Sequence, residues 1–272
     1  MMTKIGSFLL VVFIFFFSTL SIADQDLQAL AEQLKKYDDP KFQYEIGYRT
    51  SAKILGSTPA ITDQATNTYI NLLGKSLAKN YQLNTYRWTF AILQSDDINA
   101  FAASGGFIFV TKGLLKELNS EDELAAVLAH EIAHVKFNHY IKVVKKQMLA
   151  EFTSKSLNDK SNGGDLEALS NASTLILSRG LDKQSEFEAD REATLILSKS
   201  GYDPSAMADV LSMLEKKATD KSQAMSFLLT THPHPTQRLQ ALGACCAEAF
   251  ASEPSKNNKT QTRFNSSLKT KI

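Results

Sequence analysis

Five histidines occur in 272 residues, and two of them stand four apart in His130-Glu131-Ile132-Ala133-His134. On a helix, positions i and i+4 share one face about 6 Å apart, so both imidazoles can meet a single metal ion. Glu131 lies one residue round, placed to reach water held by that metal instead of the metal itself. This is the chemistry of metal-assisted hydrolysis with a carboxylate as general base. His139, nine residues from His130, falls about 180° round the same helix and reads as a packing or outer-face histidine.

Two more segments carry groups of the right kind. In Glu186-Phe187-Glu188-Ala189-Asp190, Glu186 and Asp190 share a helical face. A hydrolytic metal site wants three protein ligands and one open position. Glu186 can coordinate while Asp190 orients a ligand imidazole through its other nitrogen. Glu188 is the alternative ligand, and a plain solvated acidic face is the alternative reading of the cluster. Ala189 and Ala193 are small enough for this helix to pack closely against the first.

The third segment is Thr231-His232-Pro233-His234-Pro235-Thr236-Gln237-Arg238-Leu239. Each histidine precedes a proline, which holds it extended and off a helix. A histidine brought to the metal from a loop can donate to a tetrahedral oxyanion. It can equally fill the open fourth position and hold the site latent. The simpler reading is a polar loop capping the last helix, with Pro235 as a first helical residue.

The elements that position these groups are mostly helices. Residues 24–80 read as helices broken near Asp39-Pro40 and Pro59. Trp88 to Leu93, Asn99 to Ala102 and Phe107 to Thr111 read as strands, with Gly105-Gly106 a hairpin turn between the last two. Ser120 and Glu123 form a capping box for a helix carrying the first motif and running on towards Met148. A loop is expected at 156–172, then helices over 182–200, 204–218 and from Thr236 to Ala251. The fold class is α+β, mainly helical, with a small sheet at 88–111.

The ends read differently. Lys4, an apolar run from Phe8 to Phe17 and a small-x-small end at Ser21-Ile22-Ala23 describe a secretory signal peptide over 1–23. The run is too short to span a bilayer comfortably, and the expectation is cleavage after Ala23, an uncleaved anchor being the alternative. From Ser252 the chain is rich in Ser, Asn, Thr and Lys, with five basic residues against Glu253. It reads as a disordered basic tail, 252–272. A net charge of +1 provides no field for nucleic acid. Two adjacent cysteines, Cys245 and Cys246, exclude a disulfide scaffold and read as helix filling.

HEIAH, EFEAD beginning 52 residues after the second histidine, and THPHPTQRL, in that order, resemble the zinc metallopeptidase family typified by HtpX and the CAAX prenyl protease. Asn99-Ala100-Phe101-Ala102 with Gly105 to Val110 also resembles that family's edge strand beside the cleft. The resemblance covers about 90–250 and implies a gluzincin-type domain over 24–251. It implies one Zn2+ per chain held by His130, His134 and Glu186, Glu131 as general base and Asp190 as the supporting carboxylate. The family's His-Pro stands six residues before an arginine, which favours His232 over His234. The chain shows no multi-spanning region and is similar to the exported branch that includes periplasmic beta-barrel assembly-enhancing proteases.

The resemblance therefore implies a periplasmic zinc endopeptidase acting on unfolded or misassembled envelope polypeptides, with the outer-membrane assembly machinery as a partner. Substrate is expected to lie extended along 107–111. The rivals are a zinc-stabilised chaperone that binds without cutting, and an exopeptidase.

Overall fold

The computed structural model describes residues 26–155, 180–219, 226–232, 234–250 and 258–269. The expected signal peptide and the expected loop at 156–172 lie outside them. The first helices follow local capping chemistry. α1 covers 26–36. α2, Pro40–Ser57, starts where the Asp39 side chain accepts from the Lys41 N–H, with Pro40 at the first helical position. α3, Gln64–Asn80, is capped by Asp63 and buries Tyr69, Ile70, Leu73 and Leu77 along one stripe.

Three strands follow: β1 (Thr89–Leu93), β2 (Ala100–Ala103) and β3 (Phe107–Thr111). Gly105 and Gly106, both at positive φ, turn β2 into β3, and the two pair antiparallel with Phe101 opposite Phe109. β1 pairs parallel on the other side of β3, so the order is β1-β3-β2. This corrects the expected substrate strand. Both edges of 107–111 are taken by neighbouring strands, so β1 and β2 are the edge strands, and the outer side of β1 is bridged by the 59–61 segment.

α2 lies across the hairpin at close range. A Cβ at Gly47 would stand 1.7 Å from the Ser104 carbonyl oxygen, a backbone atom with no rotamer to escape through. Gly47→Ala is expected to lower unfolding free energy by roughly 1–3 kcal/mol or more, seen as a lower urea midpoint with unchanged slope.

After α4 (Lys112–Glu117), α5 (Glu121–Lys136) forms the centre of the molecule. Ser120 accepts from the Glu123 N–H at 3.1 Å, and Glu123 reaches back to the Asn119 N–H at 2.7 Å. The capping box thus holds. Every residue of α5 from Leu124 to Val135 is buried. Its most extensive packing is against α7, Lys183–Ser200, where Ala189 and Ala193 are fully buried. α7 ends at Gly201 in the left-handed conformation. α8 (Ala206–Thr219), the short α9 (Ser226–Thr231) and α10 (Pro235–Phe250) follow.

Two expectations are corrected here. The helix of the first motif does not continue to Met148: it stops at Lys136, Asn138 turns left-handed (φ 54°), and a separate helix, α6 (His139–Lys155), follows. Asparagine is one of the few residues that visits this conformation readily. The basic tail is also not disordered throughout. Residues 258–269 form α11 (Asn258–Phe264) and a π-helical turn (Asn265–Lys269). Phe264 and Leu268, four apart, are buried in the core.

Arg263 of that tail pairs with the buried Glu121 carboxylate, Nε lying 2.8 Å from Oε2. The Tyr69 and Tyr202 hydroxyls each donate to Glu121 at 2.9 Å. Burial, then the Glu121 charge, push both phenols up from their ordinary range, which keeps them donors.

Candidate metal centre

α5 presents His130, Glu131 and His134, all buried. The two Nε2 atoms stand 2.9 Å apart. From α7, Glu186 brings Oε2 to 3.5 Å of His130 Nε2 and Oε1 to 3.5 Å of His134 Nε2. His232, just past α9, closes the group with Nδ1 3.1 Å from both Glu186 oxygens. One ligand atom from each of these four residues lies within 4.8 Å of the other three. Three imidazoles and a carboxylate converging on one point form a donor set suited to zinc.

One buried atom adds to that fit. Glu131 Oε2 has no hydrogen-bond partner among the described residues, a cost unless a polar species belongs beside it. Burial pushes the Glu131 carboxyl above its ordinary range, against the pull of His232 and His130. Burial, and then the His130 charge, hold His134 well below its ordinary value, which favours the neutral imidazole that a metal requires.

Asp190 Oδ1 sits 3.0 Å from His130 Nδ1, the nitrogen facing away from Glu186. It is held in turn by Arg238, whose Nε and Nη2 reach its two oxygens at 2.8 and 2.6 Å. Arg238 Nη1 also lies 3.0 Å from Glu186 Oε2. Burial raises both carboxyls. Their neighbours outweigh it, Arg238 leading for Asp190 and the His232 ring then Arg238 for Glu186, and leave both below their ordinary range. Both acids therefore stay ionised.

The remaining candidates separate cleanly. His234 is exposed with φ 64°, and its carbonyl accepts from the Arg238 N–H at 3.0 Å, so it caps α10 away from the cluster. Glu188 points from α7 to His139, 3.0 Å away, and not to the cluster. His139 is not on an outer face. Beyond the Asn138 turn it is 1% exposed, with Nδ1 2.8 Å from His134 Nδ1. The periodicity of one unbroken helix concealed it, and the Asn-His step at 138–139 is the signal that it left unused. Arg238 marked a spacing in the sequence, but its ion pairs with two acids on another helix had no local signature.

Beside the cluster lies a cavity of about 30 Å³, lined by His130, Glu131 and His232 together with the apolar Val127, Met207 and Leu228. His232 also reaches the sheet, its Nε2 standing 3.2 Å from the carbonyl oxygen of Ala100 on β2.

Residues 64–245 match Peptidase family M48. The chain is 33% identical over 198 residues to the beta-barrel assembly-enhancing protease of Escherichia coli (strain K12), covering 69% of this chain and 40% of that protein. It is 26% identical over 188 residues to the mitochondrial metalloendopeptidase OMA1 of Schizosaccharomyces pombe, covering 68% of this chain and 54% of that one. To metalloprotease LoiP of Escherichia coli (strain K12) it is 26% identical over 231 residues, 82% of each. The chain thus spans about 40% of the length of the beta-barrel assembly-enhancing proteases that it matches. The family match runs across all three motif segments, from the α5 histidines to Arg238, and with the buried His-His-Glu-His cluster it establishes that this chain belongs to the metallopeptidases of family M48.

Proposed function

We propose that this chain is an exported zinc endopeptidase that cuts unfolded or misassembled envelope polypeptides, with a role in outer-membrane protein quality control. The observation that carries the reading is the convergence of His130, His134 and Glu186 beside the unpartnered Oε2 of Glu131. Export rests on the signal-peptide pattern of residues 1–23. The envelope substrates are supported by the names of the beta-barrel assembly-enhancing relatives. In this reading residues 24–251 carry the protease, with the 258–269 helices packed onto it.

His130, His134 and Glu186 would hold the zinc, with Asp190 and Arg238 fixing His130 and Glu186. A zinc ion there supplies Lewis acidity, making water nucleophilic near neutral pH and polarising the scissile carbonyl. Glu131 takes the proton of the attacking water and passes it to the leaving amine. Its burial-raised pKa suits a group that must both accept and return a proton. Substrate would add to the open edge of β2 by backbone hydrogen bonds, a mode that selects extended, unfolded chain. Val127, Met207 and Leu228, which line the cavity, would face the side chain beside the scissile bond and favour an aliphatic one.

His232 stands across that path. It takes the fourth place in the cluster and meets the Ala100 carbonyl at the β2 edge, an arrangement that supports reading it as a latch that would have to move before substrate binds. Once displaced, the same imidazole is available to donate to the oxyanion. His232→Ala is expected to raise the initial rate of casein cleavage several-fold at equal zinc content. A slower variant would assign His232 to catalysis without latency.

The direct test is incubation of the zinc-loaded chain from Asp24 with casein, followed by mass spectrometry of the fragments. Internal cuts are expected next to Leu, Ile, Val or Met. Only terminal trimming would make it an exopeptidase. Zinc-bound protein that leaves casein intact, and stays inert as His232→Ala, would make it a chaperone.

A further inference from the structure

The two histidines of α5 are supported in different ways. His130 Nδ1 meets a carboxylate directly, Asp190 at 3.0 Å. His134 Nδ1 meets another imidazole, His139 Nδ1, at 2.8 Å, and His139 Nε2 then reaches Glu188 Oε2 at 3.0 Å. We infer that His139 and Glu188 form a two-residue relay that fixes the ring and tautomer of His134 as a metal ligand.

Counting protons makes the relay directional. His134 turns Nε2 towards His130 Nε2 and Glu186, so its lone pair for a metal lies there and its single proton sits on Nδ1. Two nitrogens 2.8 Å apart share one proton, so His139 Nδ1 accepts. The one proton of neutral His139 is then on Nε2, where it donates to the Glu188 carboxylate. Each atom has one role and no bond is left over. Both imidazoles are buried, His134 at 0% and His139 at 1% exposure, so water does not substitute for either partner.

The backbone is arranged for this contact. On an unbroken helix, His139 would lie about 180° from His130. Ending α5 at Lys136 and passing Asn138 through φ 54° returns the ring of residue 139 to the side of residue 134. α7 supplies both terminal carboxylates from one helix, Glu188 for this relay and Asp190 for His130. A shift of α7 against α5 would therefore disturb both imidazoles at once. His139 and Glu188 are positioning residues and touch no reacting atom.

The inference rests on the metal reading of the cluster, and its test separates the two. Zinc affinity is measured by chelator competition on the chain from Asp24, and cobalt(II) spectra report ligand geometry. Zinc binding by the unaltered protein tests the metal reading. His139→Phe is expected to weaken zinc 10–100-fold and to shift the cobalt bands. His139→Asn keeps an acceptor where Nδ1 stood, so it is expected to recover most of that loss, and Glu188→Gln to weaken zinc by a smaller factor. His139→Phe binding zinc as tightly as the unaltered protein, or His139→Asn binding it no better than His139→Phe, overturns the relay. Nitrogen NMR of the unaltered zinc-loaded protein guards against a misfolded variant. Protons on His134 Nδ1 and His139 Nε2 support the relay, and a proton on His139 Nδ1 overturns it. Casein left uncut with these results intact would remove the peptidase reading and leave the relay standing.

Discussion

With Gln in place of Glu131, the zinc-loaded chain is expected to cleave casein about 10²–10⁴-fold more slowly than the unaltered protein while carrying the same zinc. The structure separates the two effects. The proposed ligand atoms belong to His130, His134, Glu186 and His232, and Glu131 is not among them. Its Oε2 has no partner to lose, and its Oε1 is 3.7 Å from His232 Nε2, beyond a hydrogen bond. An amide therefore fits the same space without breaking a described hydrogen bond. What it cannot do is accept a proton. Zinc content and fragment yield measured on the same preparation decide the matter. Metal lost from Glu131→Gln would move Glu131 into the ligand set, and an undiminished rate would remove it as the base.

The second large effect lies in the C-terminal segment, outside the histidine cluster. Phe264→Ala is expected to destabilise the protein by about 3–5 kcal/mol, because the ring is fully buried. For a chain of this size that is a fall in Tm of roughly 6–20 °C. Arg263→Ala should do less. Its side chain is 54% exposed and screened by water, and the two tyrosine hydroxyls stay on Glu121 after it is gone. Calorimetry of both variants tests the order. A tail making no contact that matters would leave Phe264→Ala within about 0.5 kcal/mol of the unaltered protein.

Much of this was legible from local signals. Caps and breakers are local, so Asp39-Pro40, Ser120 with Glu123, and Gly201 delimit helices as their chemistry demands. That His130 and His134 face one point was legible from their i, i+4 spacing, whereas Glu186 was preferred to Glu188 through the family resemblance. Sheet order was not: Gly105-Gly106 reveals a hairpin, but nothing local says that β1 passes to the far side of β3. The break at Asn138 was missed because apolar periodicity continues past it, and with it went His139. The tail misled through composition. Phe264 and Leu268 are two apolar residues in a polar stretch, and their burial depends on a surface built by residues far earlier in the chain. Arg238 illustrates the same limit, since its acids lie 48 and 52 positions away.

The Arg263–Glu121 pair spans 142 residues. A growing chain has made the whole cluster, from His130 to His232, before residue 263 exists. Until then the N-terminal end of α5 carries a buried carboxylate without its cation. This central helix is thus finished last, although it was written near the middle. The N-terminal end of α5 therefore receives its last partner from a segment made after all the rest of the helix's neighbours.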